Sequence, residues 1–355
     1  MSRHRRPLLL TAAACGVLVA GSVATATTGL AAPAAPSAVR QLNLVADVAG
    51  AASVVDPNLV NPWGLSASPT GPLWVSDNGT DVSTVYSGAV PPSTTVSVIP
   101  LVVAIPGGGA PTGQVFNSTT EFRLPSGPAA FVFAGENGAI TAWNGGSAAT
   151  VVASSSGAVY KGLALDPRPS GAWLLAADFH NGRVDVYDGS FHRLAAGSRF
   201  PATGIPSGYA PFNVAVLGGD VYVTYAKQDA ARHDDVPGAG HGLVDVYTPA
   251  GRFVRQLAGR PSLNSPWGLA IAPRGFGTLA GDLLVGNFGD GRIHAYDPAT
   301  GALLATLQRP NGNPVVIDGL WGLLPGNGTA GGRNELWFSA GPGGEAHGLL
   351  GLLRA

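Results

Sequence analysis

A four-residue motif recurs six times along the chain and constrains the fold more than any other feature. The copies are Pro62-Trp63-Gly64-Leu65, Pro111-Thr112-Gly113-Gln114, Tyr160-Lys161-Gly162-Leu163, Pro211-Phe212-Asn213-Val214, Pro266-Trp267-Gly268-Leu269 and Leu320-Trp321-Gly322-Leu323. Their third positions fall at 64, 113, 162, 213, 268 and 322, so successive copies lie 49, 49, 51, 55 and 54 residues apart. A nearly constant spacing of this size is typical of repeat architectures, in which one structural unit is copied along the chain.

The fifth repeat shows what that unit is. It contains four short apolar or alternating runs, Trp267–Ile271, Leu283–Val285, Arg292–Tyr296 and Ala302–Leu307, separated by clusters of Gly, Pro, Asn and Asp. Such runs predict four short strands in one antiparallel sheet. A single small sheet cannot bury both of its faces, but six sheets packed radially can. The sequence therefore predicts an all-β, six-bladed β-propeller with four antiparallel strands per blade, whereas a long β-sandwich would not explain so regular a repeat.

The two ends of the chain favour closure of this ring. The sixth repeat stops after its third strand, at Leu353, while the strand-like segment Gln41–Val45 precedes the first repeat. We expect this N-terminal strand to close the last blade as its fourth strand. Residues 39–355 are thus predicted to form a single six-bladed propeller domain.

The first 36 residues have the pattern of a secretory signal peptide followed by an Ala/Pro-rich leader. Arg3, Arg5 and Arg6 precede an apolar stretch from Leu8 to about Ala26, and small residues follow. A membrane anchor is the alternative, but Gly and Thr interrupt the stretch. The single cysteine lies inside it, so a mature chain would carry no disulfide and no thiolate metal site. We expect a secreted, extracellular protein with no membrane span in the mature chain.

The charge balance limits the partners. The chain carries 20 basic and 21 acidic residues, and removing the three leader arginines leaves 17 against 21. Without a basic stripe, nucleic acid is excluded as a partner. We expect a monomer whose partner is a small polar molecule, a glycan or a protein.

Seven segments resemble known propellers. They are 56–65, 74–79, 159–164, 208–213, 222–229, 284–292 and 317–323. The chain resembles NHL-type propellers in general and, more closely, a largely uncharacterised family of exported bacterial β-propeller proteins, some of which carry PEP-CTERM-type sorting signals. The resemblance implies the fold and export but no activity. The sequence lacks the sorting tail, so we expect release rather than anchoring.

The position before each motif glycine forms a first ring of residues. In a propeller, the loop before each inner strand and the loop between the second and third strands open on one face, the usual ligand mouth. The aromatic members Trp63, Phe212, Trp267 and Trp321 are expected to pack between blades. Lys161 has no such packing role, and we expect it to face the mouth.

A second ring follows the second strand of each blade. The two rings, with Asn213 of the fourth motif and Asp318 before the sixth, provide the candidate ligand-binding residues for a central funnel: Asp77, Asn78, Glu136, Lys161, Asp178, Asn213, Tyr225, Lys227, Asn287 and Asp318. Converging carboxylates and amines suit a polar ligand. The alternative is that Asp and Asn cap turns and satisfy loop amides.

Histidines and carboxylates also cluster in two loops of this face. The candidates for a metal site are His233, Asp234 and His241 in the fourth repeat and Glu345 and His347 in the sixth. Such side chains can bind a divalent cation, although their spacing fits no known motif and the alternative is a solvated loop. Two functions follow as hypotheses: a binding module that uses the funnel, or a metal-dependent hydrolase or lyase of the lactonase-like propeller type. No catalytic residue is assigned, and a divalent cation is the only cofactor considered.

Overall fold

The computed structural model describes residues 38–195, 197–259 and 261–355, and the predicted signal peptide therefore lies outside the described residues. Among the described residues the regular secondary structure is almost entirely β, with two short 3-10 helices at Asn78–Thr80 and Gly277–Leu279. Its strands in chain order are β1 Arg40–Ala46, β2 Val54–Val55, β3 Pro62–Ala67, β4 Leu73–Asp77, β5 Val82–Gly88, β6 Val96–Ala104, β7 Pro111–Phe116, β8 Arg123–Leu124, β9 Gly127–Pro128, β10 Phe131–Gly135, β11 Ala139–Trp143, β12 Thr150–Ser154, β13 Tyr160–Asp166, β14 Trp173–Asp178, β15 Arg183–Tyr187, β16 Tyr209–Leu217, β17 Asp220–Lys227, β18 Gly242–Tyr247, β19 Phe253–Ala258, β20 Pro266–Ile271, β21 Leu283–Asn287, β22 Ile293–Tyr296, β23 Leu303–Thr306, β24 Leu320–Pro325, β25 Glu335–Ala340 and β26 Leu349–Arg354.

These strands form the six predicted blades, and each blade begins with one copy of the motif. Blade 1 is β3-β4-β5-β6, blade 2 is β7-β10-β11-β12, blade 4 is β16-β17-β18-β19 and blade 5 is β20-β21-β22-β23, each antiparallel throughout. The six-bladed propeller is thus confirmed. Within the described ranges, no helix is both long enough and apolar enough to cross a bilayer.

The last blade confirms the predicted closure by the N-terminal strand. Strands β24, β25 and β26 are completed by β1, which pairs antiparallel with β26 from Arg40–Arg354 to Ala46–Leu349. The short strand β2 then adds parallel to β1. Backbone hydrogen bonds between the two ends of the domain thereby close the ring.

Blade 3 departs from the four-strand pattern. Its sheet contains β13, β14 and β15, and the expected fourth strand is reduced to one antiparallel bridge between Tyr187 and Arg193. The Asp188 carboxylate accepts hydrogen bonds from the backbone N–H groups of Ser190 and His192, both at 2.9 Å, which holds the chain in a tight turn. The side chain of Arg193 also lies 3.2 Å from the carboxylate of Asp185. A turn and an ion pair therefore hold this edge.

Hydrophobic packing follows the radial arrangement. Among the described residues there are seven buried apolar clusters, and six of them join neighbouring blades, including the sixth to the first. Each blade thus buries both faces against its neighbours. The seventh cluster is aromatic and lies on the central axis.

Close packing of the inner strands around this axis explains why the motif contains glycine. A Cβ added to Gly64, Gly113, Gly162, Gly268 or Gly322 would lie between 2.1 and 2.8 Å from an atom of the next inner strand. Neighbouring inner strands therefore pass too close for a side chain. Blade 4 has Asn213 at this position, and its Nδ2 donates a hydrogen bond to the carbonyl of Trp267 in blade 5 at 2.7 Å. The Asn213 amide thus links the inner strands of blades 4 and 5, whereas at the other junctions glycine lets the inner strands approach closely.

Candidate functional site

An aromatic layer lies across the central channel. It consists of Trp63, Phe179, Phe212, Trp267 and Trp321, with Phe288 packed against it. The Trp321 ring stacks on Trp63 at 3.5 Å and on Phe288 at 3.9 Å between centroids, both at 18°. The motif aromatics pack between neighbouring blades as expected, since Trp63 of blade 1 and Trp267 of blade 5 both contact Trp321 of blade 6, and they also meet across the axis. Trp63 and Trp267 come from blades 1 and 5, which are not neighbours, yet their rings meet edge to face at 5.9 Å.

A group of polar side chains lies on the side of this layer where the inner strands begin. We call it the polar mouth and define it as Asn61, Asn78, Glu136, Lys161, His233, Asp234, Asp235 and Glu345. Asn61 and Lys161 lie at the start of inner strands, and the other members lie in loops between second and third strands. These are the two positions from which the sequence predicted a ligand-binding face.

Lys161 is the centre of the polar mouth. Its side chain is only 1 % exposed, and its ammonium donates hydrogen bonds to the carboxylates of Glu136 and Asp234, the latter at 3.0 Å. The Nζ atom also lies 5.1 Å from the centroid of the Trp63 ring, within the range of a cation–π interaction. Burial alone would lower the pKa of Lys161, but the two carboxylates outweigh it and raise that pKa above its usual value. Lys161 is therefore a charged ammonium held by blades 2 and 4.

A chain of amides connects the polar mouth to the aromatic layer. The Glu136 carboxylate accepts a hydrogen bond from Asn78 at 3.1 Å, and the Asn78 carbonyl oxygen accepts one from Asn61 at 3.2 Å. Asn61 also donates to the Glu345 carboxylate at 2.7 Å and accepts from the Trp321 indole at 3.0 Å. Most donors and acceptors in this hydrogen-bond network are paired, so the network holds its side chains in fixed positions.

The remaining carboxylates give the polar mouth an acidic character. Burial raises the pKa of Glu345, although the hydrogen bond from Asn61 opposes the shift, and burial raises the pKa of Asp235 to about 6. Partial burial would also raise the pKa of Asp234, but the Lys161 ammonium outweighs it and lowers that pKa. Asp234 is the exposed member, with 66 % of its side chain open to solvent. Four carboxyl groups thus surround one ammonium.

Four of the predicted funnel residues do not open on the polar mouth. Asp77, Asp178, Tyr225 and Asn287 are completely buried inside their own blades. Asp77 accepts a hydrogen bond from Thr84 at 2.7 Å, Asp178 accepts one from Asn181, Tyr225 pairs with Tyr247, and Asn287 donates to the carbonyl of Ser262. Their strand-end positions were correct, but the side chains turn into the blade, where they satisfy the sheet and its loops.

The other three predicted funnel residues also lie outside the polar mouth, each at a different position in the fold. Asn213 bridges blades 4 and 5 below the aromatic layer. Lys227 ends β17 at the edge of the disc where Lys161 begins its strand, and its carbonyl accepts a hydrogen bond from Val236. Asp318 is exposed and accepts a hydrogen bond from the backbone N–H of Gly343.

Two of the five metal-site candidates enter a potential ligand group. Glu136, His233 and Asp234 have ligand atoms within 4.8 Å of one another. His241 instead contacts the carbonyl of Val236 at 2.8 Å, and His347 lies 2.9 Å from Asp47, so neither belongs to that group. Glu345 lies in the polar mouth through its contact with Asn61 rather than in the triad.

Sequence reasoning missed Asn61 and Asp235 as members of the polar mouth. Asn61 directly precedes the first motif and has a φ of 46°, a left-handed conformation that Asn tolerates better than most residues. The signal available in the sequence was an Asn directly before the motif, a residue type that often occupies a left-handed turn. Asp235 was one of three acidic residues in a polar loop, and nothing in the sequence distinguished it from its neighbours.

Comparisons with known structures agree with the fold. Virginiamycin B lyase from Staphylococcus aureus superposes with a TM-score of 0.53 and 12 % identity, over 89 % of this chain and 99 % of the lyase. A glucose dehydrogenase superposes with a TM-score of 0.50 and 13 % identity, over 84 % of this chain and 97 % of that protein. At these identities the likeness extends to the propeller fold alone.

Sequence comparison identifies relatives that match this chain over most of its length. No protein-family model matches the chain. Uncharacterized protein R648 of Acanthamoeba polyphaga mimivirus is 32 % identical over 331 residues, which cover 87 % of this chain and 78 % of the relative. Uncharacterized protein L690 of the same virus is 32 % identical over 315 residues, covering 84 % and 81 % respectively. These relatives are viral rather than bacterial. The chain belongs to the family of the mimivirus proteins R648 and L690.

Proposed function

We propose that the protein is a binding β-propeller that holds a small, positively charged polar ligand in its polar mouth. The observation that carries this proposal is the order of charges from solvent inward. Asp234 is exposed, Glu136 is half-buried, and the ammonium of Lys161 lies beneath them with 1 % exposure. A ligand therefore meets carboxylates first, and those carboxylates outnumber the single buried cation.

Uncharged groups in and beside the polar mouth can hydrogen-bond the uncharged polar groups of such a ligand. Asn61 and Asn78 offer amide donors and acceptors that can hydrogen-bond hydroxyl or carbonyl groups. The indole N–H of Trp63 is buried and has no hydrogen-bond partner within the described residues, which marks a position where a water or ligand oxygen is expected. An amino sugar or a hydroxylated amine combines the required charge with the required hydrogen-bonding groups.

Export belongs to the same proposal. The basic residues Arg3, Arg5 and Arg6 and the following apolar stretch have the order of a secretory signal. A binding protein outside the cell would meet amine-bearing glycans and small molecules there.

We expect amine-bearing ligands to raise the melting temperature more than their neutral counterparts. Glucosamine and glucose form a matched pair that differs at one position, and other amines with neutral analogues extend the panel in a thermal-shift screen. The double variant Glu136→Gln/Asp234→Asn should lower the affinity for the amine of each pair about 10- to 100-fold, since a hydrogen bond to a charged group contributes about 1.5–3 kcal/mol.

The matched control removes the same two charges elsewhere. Glu121→Gln/Asp188→Asn changes loops of blades 2 and 3 at the face opposite the polar mouth, one after a first strand and one after a third strand, and it should leave amine binding unchanged. If the panel shows no preference for the charged members, or if both double variants bind them equally, the polar mouth is not the site of a cationic ligand.

A metal-dependent hydrolase or lyase is the second candidate function. The triad of Glu136, His233 and Asp234 favours it, because imidazole and carboxylate groups bind divalent cations. The fit is poor as the side chains stand, since the Lys161 ammonium contacts both carboxylates of the triad and neutralises one of their two negative charges. A divalent cation would have to displace this ammonium or bind on the His233 side of Asp234.

Removal of the ammonium separates these two functions. In Lys161→Met the three triad side chains remain without their internal cation, and we expect the variant to bind Mn²⁺ or Zn²⁺ at least tenfold more tightly than the parent in isothermal titration. If the parent instead retains one divalent cation per chain through dialysis, and Lys161→Met does not change its affinity, the metal-dependent function is favoured over the binding module.

A further inference from the structure

A second cavity lies on the other side of the aromatic layer. Its volume is about 570 Å³, and residues of all six inner strands line it, among them Leu65, Val115, Leu163, Val216, Leu269 and Leu323. The lining continues into the loops that follow the inner strands, at Pro69, Ser118, Pro167 and Asn327. The cavity therefore opens at the face opposite the polar mouth, and we call it the lower cavity.

The lower cavity carries no charge. None of the described residues that line it is Asp, Glu, Lys, Arg or His. Its three amide side chains already have partners: Gln114 donates to the carbonyl of Gly64, Asn213 to that of Trp267, and Asn327 to those of Ser68 and Gly71. These amide donors are used within the protein, so the hydroxyls of Ser66, Ser68 and Ser118 are the polar side chains that the described wall still offers to water.

The lower cavity is also separated from the polar mouth. Trp267 both lines the cavity and belongs to the aromatic layer, so the layer forms its inner end. The walls are rigid, because the motif glycines allow the six inner strands to touch around the axis. A rigid space inside a ring of strands admits a small molecule and excludes a protein surface. Its volume lies within the range of about 300–1,000 Å³ found for small-molecule pockets.

We infer that the lower cavity is a binding site for a small, uncharged, predominantly apolar molecule. Transfer of such a molecule from water into walls of Leu and Val is favourable, because its apolar surface is removed from water. An anion or cation would lose its hydration there without gaining a partner, so the site selects against charge. This site is independent of the ligand proposed for the polar mouth.

A pair of fluorescent probes tests the site on the purified protein. N-phenyl-1-naphthylamine is uncharged and apolar, and 8-anilinonaphthalene-1-sulfonate has the same ring skeleton with an added sulfonate. We expect saturable binding of the uncharged probe at one molecule per chain and at least tenfold weaker binding of the sulfonate. The variant Val216→Trp places a larger side chain in the cavity wall and should weaken binding of the uncharged probe at least tenfold.

The matched control is Val254→Trp, the same substitution on outer strand β19 where the side chain is 46 % exposed. It should bind the uncharged probe like the parent, and so should Glu136→Gln/Asp234→Asn. A second filling variant, Ala67→Phe, covers the case that Val216→Trp fails to fold, as judged by near-UV circular dichroism. The inference is overturned if the uncharged probe does not bind saturably, if the sulfonate binds equally well, or if folded filling variants bind like the Val254→Trp control.

Discussion

Replacement of Trp321 by alanine is expected to lower the free energy of unfolding by about 3–5 kcal/mol, the range typical of large aromatic side chains truncated in a protein core. Trp321 is 1 % exposed and stacks between Trp63 and Phe288, with Trp267 at its edge. Its indole N–H also holds Asn61, which in turn positions Asn78 and Glu345. The substitution therefore removes the centre of the aromatic layer and one anchor of the polar mouth.

Urea denaturation followed by far-UV circular dichroism measures this loss. Trp143→Ala is the matched control, because Trp143 is half-buried on the third strand of blade 2 and contacts Trp74 at 4.7 Å away from the axis. We expect a clearly smaller loss there. Equal losses for the two variants would mean that the aromatic layer contributes no more to stability than an ordinary peripheral contact.

The sequence predicted the architecture well because one physical constraint repeats. The close approach of the inner strands demands a residue without a side chain at five of the six junctions, and the spacing of those glycines reveals the blades. The closure by β1 followed from counting strands in the last repeat. Blade 3 could not be anticipated in the same way, since its lost fourth strand depends on a turn at Asp188 and an ion pair of Arg193.

The candidate site was predictable only in part. The end of a strand determines the face on which a residue lies, but not the direction of its side chain. Glu136 and Lys161 turn toward the axis and meet, whereas Asp77 and Asp178 turn into their blades. Burial raises the pKa of both of those aspartates, so their environment is that of structural carboxyls within a sheet.

The lower cavity has no sequence signature. Its walls are the second halves of the inner strands, and residues such as Leu65 and Leu323 are indistinguishable in sequence from ordinary core residues. What makes them a cavity is that all six inner strands surround the same space beyond the aromatic layer, a property of the assembled ring. Polar sites are therefore visible in a sequence because their residue types are conspicuous, whereas an apolar site of this kind arises only from the assembled geometry.

Replacement of Gly113 by alanine is expected to destabilise the protein by about 3 kcal/mol, the upper part of the usual range for overpacking. The added Cβ would lie 2.2 Å from the backbone N of Leu163 and 2.7 Å from the carbonyl carbon of Gly162, distances that require the inner strands of blades 2 and 3 to separate. Because both contacts are with backbone, no side-chain rotation can relieve them. Separation there would also displace Lys161, which directly precedes Gly162, from Glu136.

Gly259→Ala provides a control for which we expect no destabilisation. A Cβ at Gly259 would meet only the end of the Gln256 side chain, at 3.6 Å, and alanine restricts the unfolded chain, so we expect no loss or a gain of up to about 1 kcal/mol. Urea denaturation of both variants and the parent gives the comparison. If Gly113→Ala is as stable as Gly259→Ala, the inner strands tolerate separation. The repeated glycine would then not be explained by close packing around the axis.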